Sequence, residues 1–192
     1  MNFSENILIY SSIFVWLLPP VRQYKNFLFR YFLILGIADI LVLFFNKILL
    51  TPFPDLYITI SFISFVALQK NEYLKKRKVV FIYLSIIIIV LSFIRIEKYP
   101  YLISIAFLHL MIIFRILYLF VMVVAEKQAI NFFYLALAFY EFTVLLKFFN
   151  YLFPLNVDAR TYFYITTIFE LLVGVFFTTF REDSPKLVYK LK

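Results

Sequence analysis

Seven apolar stretches fill nearly all of this 192-residue chain, and ionisable residues sit inside several of them. That pattern selects a polytopic membrane protein with almost no soluble mass, whose function lies within or beside the bilayer. A span needs roughly 20 apolar residues to cross ~30 Å of hydrocarbon. The stretches run over 5–20, 26–49, 53–69, 78–95, 100–125, 129–153 and 160–180. The expected fold is all-α, a bundle of seven transmembrane helices forming one transmembrane domain over 1–192. The first and third stretches have short apolar cores with hydroxyls, so six spans is the runner-up count.

Composition agrees. Hydrophobic residues make up 65% of the chain and charged residues 16%. Soluble domains run at about 45–50% and about 25%. With no cysteine and one histidine, disulfides, thiolate metal sites and histidine clusters are excluded. Met1 to Glu5 carry an acid and no basic residue, unlike a cleaved signal peptide, so the first stretch is expected to stay in the mature protein. All seven prolines fall at stretch ends, in links or in the tail, which predicts largely uninterrupted helices.

Lysine and arginine set the expected orientation. With the N-terminus outside, the cytoplasmic side holds Arg22, Lys25, Lys70, Lys75, Lys76, Arg77, Lys78, Lys127, Arg181, Lys186, Lys190 and Lys192. The outer side holds only Lys47, Arg95, Lys98 and Arg160. The expected location is the cell membrane, a bacterial inner membrane, with the C-terminus cytoplasmic. This asymmetry accounts for the net charge of +8 without a nucleic-acid partner. The run Lys75, Lys76, Arg77 and Lys78 is a topology anchor and a candidate contact for anionic lipid headgroups.

The chain also repeats itself. Phe14-Val15, Gln23 and Asn26-Phe27 recur as Phe120-Val121, Gln128 and Asn131-Phe132. Phe44-Phe45-Asn46, Pro52, Asp55 and Tyr57-Ile58-Thr59 recur as Phe148-Phe149-Asn150, Pro154, Asp158 and Tyr164-Ile165-Thr166. The order is kept and the offset stays between 102 and 107. Repeat halves 5–69 and 100–180, joined by a connector helix at 78–95, make a 3+1+3 plan with parallel halves. This architecture resembles that of the SWEET and PQ-loop families, and loosely that of microbial rhodopsins. The resemblance stops at architecture. Val21 follows Pro19-Pro20 where PQ-loop proteins carry Pro-Gln, and the last stretch has no lysine for a retinal Schiff base.

Charges at depth mark candidate sites, since each costs about 2.5–3.5 kcal/mol at the bilayer centre on insertion scales. Asp39, Glu141 and Glu170 fall near the middle of their stretches; Arg115 lies in the stretch 100–125, and Lys147 shares 129–153 with Glu141. Helical spacing joins them to polar or small neighbours: Gly36, Asp39, Leu43 and Asn46; Ala136, Tyr140, Thr143, Lys147 and Asn150, with Glu141 flanking; and Thr166, Thr167, Glu170, Gly174 and Thr178. These stripes are expected to turn inward, away from lipid that cannot satisfy them. Two outcomes are open. Arg115 and Lys147 pair with two of the acids in a packed network, or Asp39, Arg115, Tyr140, Glu141, Lys147, Thr167 and Glu170 line a midplane pocket for a ligand or proton. His109 is expected as a bonded interior or interfacial histidine.

Three functions follow. The first is a binding, sensing or partner-docking module, with membrane lipids and another membrane protein as partners. The second is a small-solute or proton-coupled transporter, favoured by the repeat but opposed by unbroken helices and only two glycines. The third, an enzyme, lacks a nucleophile motif or metal-ligand cluster, so no catalytic residue, metal or cofactor is assigned.

Overall fold

The computed structural model describes residues 3–48, 53–93, 98–153 and 158–191. Pro52, Arg95, Pro154 and Lys192 lie outside that set, as do the side chains of Asn46, Lys47, Asp55 and Lys98. The chain is mostly helical, at 84%. Its helices are α1 (Phe3–Trp16), α2 (Leu18–Arg22), α3 (Phe29–Ile48), α4 (Phe53–Ala67), α5 (Asn71–Lys76), α6 (Lys78–Phe93), α7 (Lys98–Lys127), α8 (Phe132–Leu152) and α9 (Ala159–Thr179). A helix runs through each of the seven apolar stretches. Among the described residues, three are long and apolar enough to cross a membrane, over Pro100–Lys127, Phe132–Asn150 and Arg160–Thr179. They fit a membrane location. The apolar parts of α4 and α6, Leu56–Ala67 and Lys78–Ile88, are shorter.

Two expectations need correction. The first stretch is not one helix: it ends at Trp16 and restarts as α2, whose first turn holds Pro19 and Pro20. Proline has no N–H to donate to the preceding turn, so it fits a helix start and not a helix interior. The fold is also not purely helical. Strand β1 (Ala129–Asn131) pairs antiparallel with β2 (Val188–Lys190), with Ile130 opposite Tyr189. The tail thereby folds back onto the link between α7 and α8. Tyr189 and Val188 are β-formers outside the apolar stretches, where no helical ladder competes for their backbone.

Helix neighbours follow a closed order. α1 packs on α3, α3 on α4, α4 on α7, α7 on α8, α8 on α9, and α9 back on α1. α6 packs on α4, outside this ring. The exterior is apolar. On α7, Ile103, Phe107, Leu110, Phe114, Leu117 and Val121 are exposed at a helical three-to-four spacing, while Leu102, Ile105, Ile112, Ile116 and Leu119 are buried. An apolar face this large needs a covering.

The core centres on an aromatic knot. The Trp16 ring lies 4.6 Å from Tyr140, Phe177 lies 5.0 Å from Phe32, and Phe133 lies 5.1 Å from Phe177. Both glycines serve this knot. A Cβ on Gly36 would stand 2.7 Å from the Trp16 carbonyl oxygen, and one on Gly174 would stand 2.7 Å from Val15 Cγ1. Hydrogen in place of a side chain lets α3 and α9 close on α1.

Candidate functional site

α3 and α8 bring the deep acids together. Glu141 on α8 is 1% exposed and accepts from two donors. The Tyr31 hydroxyl on α3 donates to its Oε1, and His109 Nδ1 on α7 lies 2.7 Å from its Oε2. The other His109 nitrogen, Nε2, lies 3.1 Å from Ser61 Oγ on α4. With the carboxylate accepting at Nδ1–H, Nε2 is left to accept from the serine. Phe148 stacks on the imidazole at 5.3 Å. The chain Ser61–His109–Glu141–Tyr31 thus ties α4, α7, α8 and α3. His109 is a bonded interior residue.

Two helical turns from Glu141, Lys147 pairs with Glu170 of α9. Asp39, on the same side of α3, faces this pair. No donor among the described residues hydrogen-bonds the Asp39 carboxylate.

A cavity of about 240 Å³ opens between these groups, lined by Ser12, Trp16, Asp39, Tyr57, Ser61, Ser64, His109, Tyr140, Glu141, Lys147 and Glu170 among others. A second cavity of about 400 Å³ adjoins it, sharing Ser12, Asp39, Tyr57, Lys147 and Glu170. Asn150, Tyr162, Thr166 and Thr167 complete its polar wall. The polar hollow is therefore an inner and an outer chamber meeting at Asp39 and the Lys147–Glu170 pair. The outer one leads toward the end of the bundle where Ser4 Oγ lies 2.9 Å from the Tyr164 hydroxyl and Arg160 Nε 3.4 Å from Glu5.

The opposite end is tied shut. Gln23 is fully buried; it donates to the carbonyls of Phe177 and Phe180 at 3.1 and 2.8 Å and accepts from the Glu182 amide at 3.0 Å. The Glu182 carboxylate accepts from the Tyr134 hydroxyl and from the Leu28 amide, the latter at 3.2 Å. Asn131 donates to the Glu182 carbonyl at 2.8 Å, and its side-chain oxygen caps α8 through the Phe133 amide. Burial pushes the Glu182 carboxyl above its ordinary value of 4.5, against the lowering by its two donors. At the far end, the exposed Asp158 caps α9 and accepts from the Thr161 amide and hydroxyl, which hold its carboxyl below the usual range.

Of the sequence candidates, the structure gathers Asp39, Tyr140, Glu141, Lys147 and Glu170 around the inner chamber and places Thr167 in the wall of the outer one. It does not bring Arg115 there. That side chain donates to the Leu68 carbonyl at 3.2 Å and lies over the Tyr118 ring, because α7 turns His109 inward and Arg115 toward α4. Of the two bases that a packed network would have used, only Lys147 pairs with an acid among the described residues. Several stripe hydroxyls bond their own helix: Thr143 to the Tyr140 carbonyl, Thr166 to Tyr162 and Thr178 to Gly174. The basic residues Lys75, Lys76, Arg77 and Lys78 are exposed around the junction of α5 and α6, with Arg77 over the Tyr73 ring.

Sequence reasoning missed Tyr31 as a donor to Glu141, and Ser61, Ser64 and Trp16 as lining groups. A signal existed for three of them: Tyr31 lies eight residues before Asp39, and Ser61 and Ser64 are three apart, spacings that share a helix face. No protein-family model matches the chain, and no curated protein or solved structure is significantly similar to it.

Proposed function

We propose that this chain is an integral membrane binding and sensing module whose helices hold a small ligand in the polar hollow. Seven spans with an outer N-terminus and a cytoplasmic C-terminus give it a multi-pass topology in the cell membrane. The observation that carries this reading is the pair of adjoining chambers, ringed by Asp39, Tyr57, Lys147 and Glu170 inside an apolar exterior. Polar groups at such depth are costly unless they hold the fold together or hold something else. Glu141 does the first. Asp39, which no donor among the described residues hydrogen-bonds, is available for the second. Membrane lipids surround the bundle, anionic headgroups meet Lys75–Lys78, and a second membrane protein takes the output.

A small-solute or proton-coupled transporter is the second reading. One feature favours it: the closed helix order. If residues 5–69 and 100–180 are duplicated units, the contacts α1 with α9 and α4 with α7 are equivalents, as a twofold 3+1+3 assembly requires.

Purified protein separates the two. The module should release a small molecule on denaturation, and the cavity-filling variant Ala38→Phe should carry less of it. In liposomes it should show no solute uptake. Uptake driven by a proton gradient and lost in Glu141→Gln or Asp39→Asn would replace the module with a transporter. Equal bound content in wild type and Ala38→Phe, without uptake, would remove both.

A further inference from the structure

We infer that the inner chamber is a binding site for a small organic cation, a protonated amine, with Asp39 as its counter-ion. The inference rests on the ligand-holding reading above and adds the chemical class. Three carboxyl groups line the chamber, Asp39, Glu141 and Glu170, against two basic groups, the Lys147 ammonium and the His109 imidazole. Lys147 is taken up by Glu170. Glu141 has Tyr31 and His109 donating to it. Asp39 is left facing the chamber and the Lys147–Glu170 pair, with no hydrogen-bond donor to it among the described residues. A carboxyl group away from bulk water is costly without a donor or an opposite charge, so the unfilled demand at this point is for a cation that also carries N–H groups.

A second, separate observation lies across the chamber. Ser64 is 2% exposed and lines the same cavity, yet its hydroxyl has no hydrogen-bond partner among the described residues. Buried hydroxyls are nearly always paired. Asp39 and Ser64 line the same chamber from adjacent helices, α3 and α4, and each offers an ammonium group an acceptor there.

The remaining walls fit the same occupant. Trp16, Tyr57, Tyr140 and Phe148 contribute aromatic faces, which attract cations and cover a short apolar stem. An anion would meet excess negative charge. A metal ion would need several ligands in reach, and among the described residues no group of three or more His, Asp or Glu side chains is placed to hold one. At about 240 Å³ the chamber falls below the ~300–1,000 Å³ of drug-sized pockets, so the amine is small.

The chain carries its own reporter. Trp16 is its sole tryptophan, is 4% exposed and lines the chamber. Purified wild type in detergent is titrated with n-butylammonium, n-butanol and butyrate, and Trp16 emission is read. The expected result is a saturable change with butylammonium, at a half-saturating concentration at least about tenfold below that of the alcohol or the carboxylate. Asp39→Asn should raise the butylammonium value by about tenfold or more, and Ser64→Ala by a few-fold, with the butanol value unmoved. Butanol or butyrate acting as well as the amine, or Asp39→Asn binding the amine like wild type, overturns the assignment. So does silence with all three probes. Should Asp39→Asn fail to fold, the wild-type ranking and Ser64→Ala decide. The ligand-holding reading is judged separately, by the Ala38→Phe comparison, so the two can fail independently.

Discussion

The tied end and the hollow middle of this bundle handle polar groups in opposite ways. At the tied end, Gln23, Asn131, Tyr134 and Glu182 bond one another and the backbone until their main demands are met. In the middle, Glu141 is met, while among the described residues the Ser64 hydroxyl has no partner and no donor hydrogen-bonds Asp39. The contrast separates two uses of polarity in an apolar bundle. One fastens helices to each other, and the other keeps hydrogen-bonding capacity open. Substitutions should sort accordingly: those at the tied end cost stability, and those at Asp39 cost binding.

The largest loss should come from Gln23→Leu. It leaves the Glu182 amide and the Phe180 carbonyl without their partner, and about 3 kcal/mol of stability should disappear in mixed-micelle unfolding. A loss near zero would mean that this end is not fastened as described. Next comes Gly36→Ala, which drives a methyl against the Trp16 backbone, a neighbour that cannot rotate away. About 2 kcal/mol is expected, with a changed Trp16 emission.

A smaller effect concerns pH. Burial raises the folded carboxyl of Glu182 above the unfolded 4.5, so the folded state favours the protonated form. The associated stability is fully present below pH 4.5 and is lost as pH rises through the raised value. Protease cleavage of the tail after Phe180 should therefore speed up over that window, and Glu182→Gln should flatten the profile. A slope of the opposite sign would contradict the burial. Least of all, Asp39→Asn should cost no stability, since no hydrogen bond among the described residues is lost and a carboxyl without a donor is removed. A cost rivalling that of Gln23→Leu would erase the distinction between the two regions.

Much of this was legible in the residues. Apolar runs gave helices in the expected places, and the described prolines mark first turns: Pro19 and Pro20 in α2, Pro54 in α4 and Pro100 in α7. The inward stripes also carried information: Lys147, Glu141 and Asp39 do line one hollow, because period and polarity together select the face that lipid cannot accept. What escaped depends on rotation and long-range meeting. Arg115 and His109 are six residues apart on α7, and periodicity alone does not say which turns inward. Gln23 meets Phe177 and Phe180 more than 150 residues away, and Tyr31 meets Glu141 across the bundle. Such pairs are set by which helices become neighbours. The β1–β2 pairing escaped because two three-residue strands carry no periodic signal.

That short ribbon has a mechanical consequence. Val188–Lys190 is stitched to Ala129–Asn131, and Asn131 caps α8, the helix that bears both Glu141 and Lys147. The tail is thus held to α8 through β1 and Asn131 as well as to α9 through the chain, so a displacement of Val188–Lys190 is felt in the helix that forms part of the chamber wall.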